Sequence, residues 1–509
     1  MPKSEDLTQK WYQRDWTFLA SFALLKIVMH LPFLTRYGYH QDELYFIACG
    51  NHIGLGYVDH PPLVPWIARL ATELFGHSLF GLRIFALLSG AAAVFLTGLL
   101  VRRLGGGRFA QGLACLVMLT TPVFLRTGNL FCILAFELLF WILGYHIIVR
   151  IIQEDRPWLW LWLALVVGLG LLTKHSLLFF VFGLVVGLLF TGMRRYFKSL
   201  YLYAGGGIAF LVFLPNIFWQ IKHGWPTISF IINLNKNLME GISLFQFVAG
   251  QFLYMHPLNA AIWIAGLVFF FSRKGKSYRL LAWLWISVFV LLMISKSKIY
   301  YLAPAYPCLI AGGSIVVGDW LSRRVKKTLR YAVIVVLAAG GIALMPLSVP
   351  MFPITTTEQY MDAITFGAFE NIYELTGDLR AMFGWRERVS EVAKVYNSLP
   401  EGERQRTIIL AAGYGNAGAV DYFGKPLGLP EARSLSMSYW LWGLPDGPIE
   451  TVIGMGFSKK SMEGVFHEVE LVAEIELEQV NPWETPFPIS ICRRPKVSLQ
   501  SVWNRNRPW

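Results

Sequence analysis

The chain has 509 residues, of which 55% are hydrophobic and only 15% are charged. Soluble domains carry about 25% charged residues, so this composition excludes a disordered protein, a soluble nucleic-acid binder and a disulfide-rich secreted module. Residues 1–348 contain 30 Lys and Arg against 12 Asp and Glu, whereas residues 349–509 contain 15 against 20. Positive charge concentrated in the apolar part, within a net charge of +13, is typical of a polytopic membrane protein.

Eleven apolar runs approach the length of about 17–25 residues that crosses roughly 30 Å of hydrocarbon. The predicted fold is therefore an α-helical polytopic membrane domain at residues 1–349, with an extracytoplasmic α/β domain at residues 350–509. The two runs that flank residues 173–176 are both short and share one polar break. The runs lie at 16–35, 81–101, 109–125, 131–149, 158–173, 176–193, 200–219, 247–271, 280–295, 301–320 and 331–349.

Alternate loops between these runs are short and basic, and the positive-inside rule places basic loops in the cytoplasm. The N-terminus is therefore expected in the cytoplasm, and the loop 36–80 and everything after residue 349 on the opposite side. The basic residues of the cytoplasmic set are Lys3, Lys10, Arg14, Arg102, Arg103, Arg108, Arg150, Arg156, Arg194, Arg195, Lys198, Arg273, Lys274, Lys276, Arg279, Arg323, Arg324, Lys326, Lys327 and Arg330.

The segment after residue 349 changes character. Residues 358–398 have a helical pattern, and short apolar runs follow at 407–411, 451–454 and 488–492, separated by Gly and Pro. This pattern predicts a small α/β domain outside the membrane.

The first outer loop concentrates acids and histidines. Asp42 and Glu43 are expected to open one short helix, and the prolines after Asp59 and His60 a second one. The simplest alternative is that Asp42 and Asp59 cap these helices. As a group, Asp42, Glu43 and Asp59 are predicted to be catalytic. A divalent cation held by His40, Asp42 and Asp59 stays open as a weaker possibility.

Several charged residues lie in or beside apolar runs on the same outer side: Glu137, Lys174, Lys296 and Lys298. Charges near hydrocarbon are costly unless they pair or face a wet cavity. The alternatives are that the lysines extend to the outer headgroups, and that Glu137 pairs with Arg126 or another buried base. Acids and lysines that converge in one outward pocket would suit transfer from a lipid phosphate. A carboxylate would act as general base, and lysines together with His60 would hold the phosphate.

At these residues the sequence resembles the polytopic GT-C glycosyltransferases. It is similar above all to the bacterial branch related to protein O-mannosyltransferases and to the lipid A aminoarabinose transferase (glycosyltransferase families 39 and 83). The motifs that carry the resemblance are Asp42-Glu43, Asp59-His60-Pro61-Pro62, Asn129 with Ala135-Phe136-Glu137 and Trp141, residues 172–176, Trp219-Gln220, Gly224-Trp225-Pro226, Lys298 with Tyr301 and Pro304, Gly413-Tyr414-Gly415-Asn416-Ala417-Gly418-Ala419, and residues 438–443.

The resemblance implies a multi-pass bacterial inner-membrane enzyme that uses a polyprenyl-phosphate-linked sugar. It implies inverting transfer at the periplasmic face to a glycolipid, polysaccharide or protein, with Asp42 as the base or as a residue that positions the acceptor. No nucleic acid is expected as a partner. The candidate donor-phosphate residues are His60, Lys174, Lys298 and Tyr301, and His40, Tyr45, Glu137 and His175 are candidates for acceptor binding or structural roles.

Two positions depart from the aminoarabinose branch, which has Lys after the second acid and Arg two residues after the acid pair. Here these positions are His60 and Tyr45. We therefore expect phosphate binding to depend more on Lys174 and Lys298, and the donor or acceptor to differ.

A membrane transporter or flippase is the alternative function, because buried charges can line a translocation path. It would require inverted repeats and helices broken at corresponding positions, which the sequence does not show. A non-catalytic lipid-binding scaffold is a third possibility.

Overall fold

The computed structural model describes residues 15–238, 242–324, 326–367 and 373–508. Lys3, Lys10 and Arg14 of the predicted basic segment lie outside the described residues. The chain divides into two compact units. The first takes its described residues from Met1–Leu34, Phe80–Ile221 and Leu234–Met351, and the second takes its described residues from Thr35–Leu79, Lys222–Asn233 and Phe352–Trp509.

Helices make up most of the first unit and about half of the second. Up to residue 351 the α-helices are α1 Asp15–His30, α2 Gln41–Asn51, α3 Leu63–Phe75, α4 Leu79–Arg103, α5 Arg108–Thr120, α6 Pro122–Arg126, α7 Ile133–Glu154, α8 Leu159–Leu171, α9 Leu177–Leu189, α10 Leu200–Lys222, α11 Pro226–Leu238, α12 Leu244–Tyr254, α13 Ala260–Phe271, α14 Arg279–Ile294, α15 Tyr306–Arg324 and α16 Lys327–Ser348. After it they are α17 Ile354–Thr365, α18 Tyr373–Arg380, α19 Trp385–Ser398, α20 Glu401–Arg404, α21 Tyr414–Ala419, α22 Ser438–Trp442, α23 Lys459–Glu463 and α24 Leu499–Arg505.

The predicted polytopic helical fold is confirmed. Among the described residues, seven helices are long and apolar enough to cross a membrane, and two bent helix pairs raise the number to nine. All eleven predicted runs are helical, but α5 and α8 have 13 residues each, about 20 Å, and are too short to span by themselves. Pro122 starts a new helix after α5, and the polar residues from Thr173 follow α8.

The predicted run 247–271 is not one straight helix. It consists of α12 and a segment that begins at Pro257, and the two are bent by 91°. The break has a local cause, because His256 adopts a left-handed φ of +69° and its Nδ1 accepts a hydrogen bond from the Leu258 N–H. Pro257 cannot donate the backbone hydrogen bond that would continue the helix.

The core of the first unit is rich in aromatic side chains. Trp141 and Tyr145 on α7 are fully buried and pack against Phe180 on α9, with ring centroids 5.1 and 5.7 Å from that of Phe180. By contrast, α10 is apolar but largely exposed within its unit. An apolar helix with little protein cover is suited to face lipid.

The second unit contains a four-stranded sheet: β1 Thr407–Ala411, β2 Thr451–Met455, β3 Phe466–Ile475 and β4 Phe487–Pro495, in the order β1-β2-β4-β3. β1 and β2 are parallel and the other pairs antiparallel, with Ile409, Ile453 and Ile491 side by side. The connection between β1 and β2 carries α21 and α22, as a parallel pair requires a crossover. The predicted α/β domain is confirmed, although the sequence did not indicate the edge strand β3.

The first outer loop folds in the same compact unit as this sheet. The indole N–H of Trp385 on α19 donates to the Tyr39 carbonyl oxygen at 2.9 Å. The Tyr39 hydroxyl is hydrogen-bonded to the Tyr422 hydroxyl at 2.5 Å. These bonds fix the segment that leads into the acid pair.

Candidate active site

The acid pair begins the short helix α2. His40 is the N-cap residue, and its Nδ1 accepts a hydrogen bond from the Asp42 backbone N–H at 3.2 Å. Glu43 completes a capping box, because its Oε2 accepts from the His40 N–H at 2.9 Å. The predicted helices are confirmed, but the capping alternative is wrong. His40 and Glu43 cap α2, and Pro62, without a side-chain hydrogen bond, precedes α3.

The two adjacent acids therefore differ in what they can do. Glu43 is fully buried, and one of its carboxylate oxygens is held by backbone. The Asp42 side chain is 40% exposed. Of the pair, Asp42 is the carboxylate that this unit leaves open to solutes.

Asp42 has one strong side-chain partner among the described residues of the second unit. The Tyr414 hydroxyl donates to its Oδ1 at 2.8 Å. The Nδ1 of His40 lies 3.7 Å from Oδ2, too far for a hydrogen bond. Burial, followed by the Asp42 charge, raises the pKa of the Tyr414 hydroxyl well above its usual value. Tyr414 therefore remains a proton donor throughout the physiological range.

Asp59 is held in a similar way by Tyr45. The Tyr45 hydroxyl donates to Asp59 Oδ1 at 2.8 Å, lies 2.8 Å from Ser438 Oγ, and accepts from the Ser438 N–H at 3.1 Å. The Val58 N–H donates to the same Ser438 Oγ at 3.0 Å. Burial is the main cause that raises the pKa of Tyr45 well above its usual value. Tyr45 is thus an uncharged donor to Asp59.

His60 is buried beside these groups. Its side chain is 1% exposed, and its Nδ1–H donates to the Pro61 carbonyl oxygen at 3.0 Å. Its Nε2 is 3.9 Å from Asp59 Oδ1, and the imidazole packs against the rings of Tyr45, Phe46 and Tyr57. This position gives no support to the predicted contact between His60 and the donor phosphate.

Glycines bring Tyr414 within reach of Asp42. A Cβ on Gly415 would lie 2.9 Å from Gln41 Cβ, and a Cβ on Gly418 would lie 3.0 Å from the Leu44 carbonyl carbon. Side chains at these two positions would separate α21 from α2. The glycines of the Gly-Tyr-Gly-Asn-Ala-Gly motif therefore allow α21 to pack closely on α2 within this unit.

A second group of predicted residues lies in the first unit. Lys174 Nζ is 3.3 Å from Glu137 Oε2, and the Ser176 hydroxyl donates to Glu137 Oε1 at 2.5 Å. The same ammonium lies over the Tyr301 ring, 4.1 Å from its centroid. The base that pairs with Glu137 is therefore Lys174, and the two residues, 37 positions apart in sequence, form one cluster with Tyr301.

Lys298 adjoins this cluster through the backbone, because the Tyr301 N–H donates to the Lys298 carbonyl oxygen at 3.0 Å. Its side chain is half-buried, and no ion pair of Lys298 is found within the described part of the chain. His175 Nε2 lies 3.2 Å from Asn216 Oδ1, so this half-buried imidazole has a polar partner within the first unit.

No group of three or more His, Cys, Asp or Glu in the described ranges is placed to hold a metal ion. The geometry thus gives no support to a cation on His40, Asp42 and Asp59.

Comparison with known proteins extends these observations. Residues 59–219 match the family described as dolichyl-phosphate-mannose-protein mannosyltransferase. The lipid A galacturonosyltransferase RgtD of Rhizobium johnstonii is 26% identical over 351 residues, which cover 66% of this chain and 69% of that protein. These matches support a GT-C glycosyltransferase of this branch.

Two further proteins are similar to this chain. The undecaprenyl phosphate-alpha-4-amino-4-deoxy-L-arabinose arabinosyl transferase 1 of Pseudomonas fluorescens is 29% identical over 210 residues, covering 38% of this chain and 37% of its own. The crystal structure of ArnT from Cupriavidus metallidurans bound to undecaprenyl phosphate superposes with a TM-score of 0.56 at 13% identity, over 93% of this chain and 98% of that chain. This likeness shows a shared fold.

The predicted enzyme class, a glycosyltransferase, is confirmed. The transporter alternative required broken helices, and the bent pair of α12 and α13 is one such break. The relatives that match this chain, however, are named as transferases.

Sequence reasoning did not single out Tyr414 and Ser438. Both lie in tail motifs that were quoted for the resemblance, yet neither residue carries a charge that draws attention. The pattern that could have indicated them is a polar side chain among glycines for Tyr414 and beside aromatic residues for Ser438. No role was predicted for the segment that contains them.

Proposed function

We propose that this GT-C enzyme moves a sugar from a polyprenyl-phosphate donor to an acceptor hydroxyl at the extracytoplasmic face of the membrane. The observation that carries the proposal is the exposed Asp42 carboxylate beside a fully buried Glu43. The donor class is supported by the arabinosyl transferase named for undecaprenyl phosphate and by the solved ArnT structure that binds this lipid.

In the proposed reaction, the acceptor oxygen attacks the anomeric carbon of the sugar. The bond between that carbon and the phosphate oxygen breaks, and polyprenyl phosphate leaves with the bonding electron pair. The acceptor proton passes to the Asp42 carboxylate, which acts as general base. Attack from the face opposite the phosphate inverts the anomeric configuration.

The leaving phosphate gains negative charge, and fixed cations stabilise such charge. Lys298 and Lys174 are the proposed phosphate-binding residues, with Tyr301 against the Lys174 ammonium. Lys174 is already paired with Glu137, whereas Lys298 has no ion pair within the described residues. We therefore assign Lys298 the larger contribution to phosphate binding.

The proposed acceptor is a glycolipid, because RgtD is named a lipid A galacturonosyltransferase. The basic loops support an orientation with the N-terminus in the cytoplasm and the sheet of the second unit outside. His60 and Tyr45, which replace the Lys and Arg of the aminoarabinose branch, favour a sugar or acceptor other than aminoarabinose and lipid A.

The test uses purified protein in liposomes with a panel of undecaprenyl-phosphate sugars and a panel of glycolipid acceptors that includes lipid A, and mass spectrometry of the products. Asp42→Asn should abolish transfer, whereas Asp446→Asn, at an exposed aspartate, should leave transfer unchanged. Full activity of Asp42→Asn would remove Asp42 from the mechanism. Uptake of a donor without any glycosylated product would support the transporter alternative.

A further inference from the structure

We infer that Tyr414 and Ser438, both contributed by the segment after residue 352, are positioning residues that orient Asp42 and Asp59 for the transfer reaction. This inference rests on the proposed function, and it assigns the tail a part in catalysis that neither the acid motif nor the relatives' names indicate.

Tyr414 determines which oxygen of Asp42 is available. Its hydroxyl occupies Oδ1 at 2.8 Å, and no hydrogen bond to Oδ2 is found within the described residues. A carboxylate fixed through one oxygen presents the other in a constant direction. Oδ2 is therefore the oxygen that would accept the acceptor proton, and Tyr414 prevents the carboxylate from rotating away from it.

Ser438 acts on Asp59 indirectly, through the Tyr45 hydroxyl. A phenol has a single proton, and the carboxylate of Asp59 is the stronger acceptor for the Tyr45 proton. The Ser438 N–H and hydroxyl then both donate to the Tyr45 oxygen, while Ser438 Oγ accepts from the Val58 N–H. Every group in this chain of bonds has a partner, so Ser438 fixes the Tyr45 hydroxyl on Asp59.

The tail also supports the helix that carries Tyr414. Arg388 is buried and donates to Asn416 Oδ1 at 3.1 Å on α21, and it pairs with Glu484 Oε2 at 2.6 Å. The close approach of Gly415 and Gly418 to α2 sets the distance between Tyr414 and Asp42. A positioning role needs this kind of fixed support, because a small displacement at a reacting group lowers the rate steeply.

The experiment compares Tyr414→Phe with Tyr396→Phe in the liposome assay. Both remove one hydroxyl from the same unit, but the Tyr396 hydroxyl donates to the Arg404 carbonyl oxygen rather than to an acid. Hydrogen bonds to charged groups are strong enough that Tyr414→Phe should lower kcat by about tenfold to a hundredfold. The KM for the donor lipid should stay within about twofold, since Tyr414 is not assigned a donor contact.

Ser438→Ala and Ser434→Ala form a second pair. Both serines are buried, but Ser434 Oγ accepts only from the Ser436 N–H among its described bonds. Ser438→Ala should lower kcat several-fold at constant donor KM, and Ser434→Ala should not. Equal kcat values within both pairs would overturn the inference, as would a loss of kcat that is matched by an equal rise in KM.

A readout without turnover separates this inference from the proposed function. 3-Fluorotyrosine incorporated at position 414 should change its ¹⁹F shift on Asp42→Asn, and an unchanged shift would overturn the contact. If Asp42→Asn abolishes transfer but Tyr414→Phe is fully active, the inference alone fails. If Asp42→Asn is fully active, the assignment of the base fails first, and the positioning role falls with it.

Discussion

Lys174 and Glu137 form an ion pair of 3.3 Å in which the acid is 1% exposed and the lysine 19% exposed. Ser176 donates to the free side of the carboxylate, and the Tyr301 ring lies over the ammonium. The lysine therefore has a fixed position without any ligand, and it carries a charge that its partner largely compensates.

This pair predicts a non-additive effect on stability. Glu137→Gln keeps the acceptor for Ser176 but leaves Lys174 without its counter-charge, and breaking a buried pair costs about 3–5 kcal/mol. Glu137→Gln with Lys174→Met removes both charges and should recover most of the loss. Thermal unfolding in detergent measures both, and additive losses would contradict the coupling.

A second prediction concerns the two lysines that precede Tyr301. Lys298→Gln should weaken binding of undecaprenyl phosphate by about tenfold or more, because a charged hydrogen bond to phosphate contributes about 1.5–3 kcal/mol. Lys296→Gln is the matched control, since Lys296 is exposed two residues earlier. Affinities measured by microscale thermophoresis would count against the phosphate role if both variants matched the wild type.

Asp421 predicts a pH dependence of stability. Burial raises the pKa of this carboxyl to about 6, against the hydrogen bonds from Tyr439 and the Ala432 N–H, which lower it. Because the folded pKa exceeds the unfolded one, ionisation destabilises the fold. The loss in free energy of unfolding that this ionisation causes is absent below about pH 4 and grows as the pH rises to about 6. Above that pH it stays constant, at about 3 kcal/mol.

Asp421→Asn cannot ionise and isolates this effect. The stability of the wild type relative to Asp421→Asn should fall between pH 4 and pH 6, as measured by unfolding midpoints in detergent at several pH values. Parallel pH profiles of the two proteins would show that Asp421 has an ordinary pKa.

The packing of α21 on α2 gives a fourth prediction. Gly418→Ala places a methyl group 3.0 Å from the backbone of Leu44, and such overpacking typically costs about 1–3 kcal/mol. Gly402→Ala on α20 meets nothing within 4 Å and should be neutral or stabilising, because alanine favours helices. Equal melting temperatures of the two variants would show that α21 can move.

The sequence predicted the helical fold because apolar runs in lipid leave the backbone few alternatives. It did not predict the bend at His256, whose left-handed backbone depends on its neighbours as well as on Pro257. β3 was not predicted because its sequence is rich in acids rather than apolar. It lies at the edge of the sheet, where burial does not require an apolar pattern.

The acids of the candidate site were also predictable, since Asp42 and Glu43 are charged residues near a membrane. What distinguishes them was not predictable. The burial of Glu43 depends on the capping box, and the contact of Asp42 with Tyr414 joins residues 372 positions apart. No local spacing encodes a partner at that distance.

The separation of Asp42 from Tyr414 also has a consequence during synthesis. The ribosome completes α2 and the intervening helices before Tyr414, Arg388 and Ser438 have all emerged. Until then, Asp42 lacks its bond from the Tyr414 hydroxyl, and the Tyr45 hydroxyl on Asp59 lacks its bonds to Ser438. A nascent or prematurely terminated chain would therefore carry the acid motif without these bonds, and under the proposed mechanism it would acquire competence for sugar transfer late in translation.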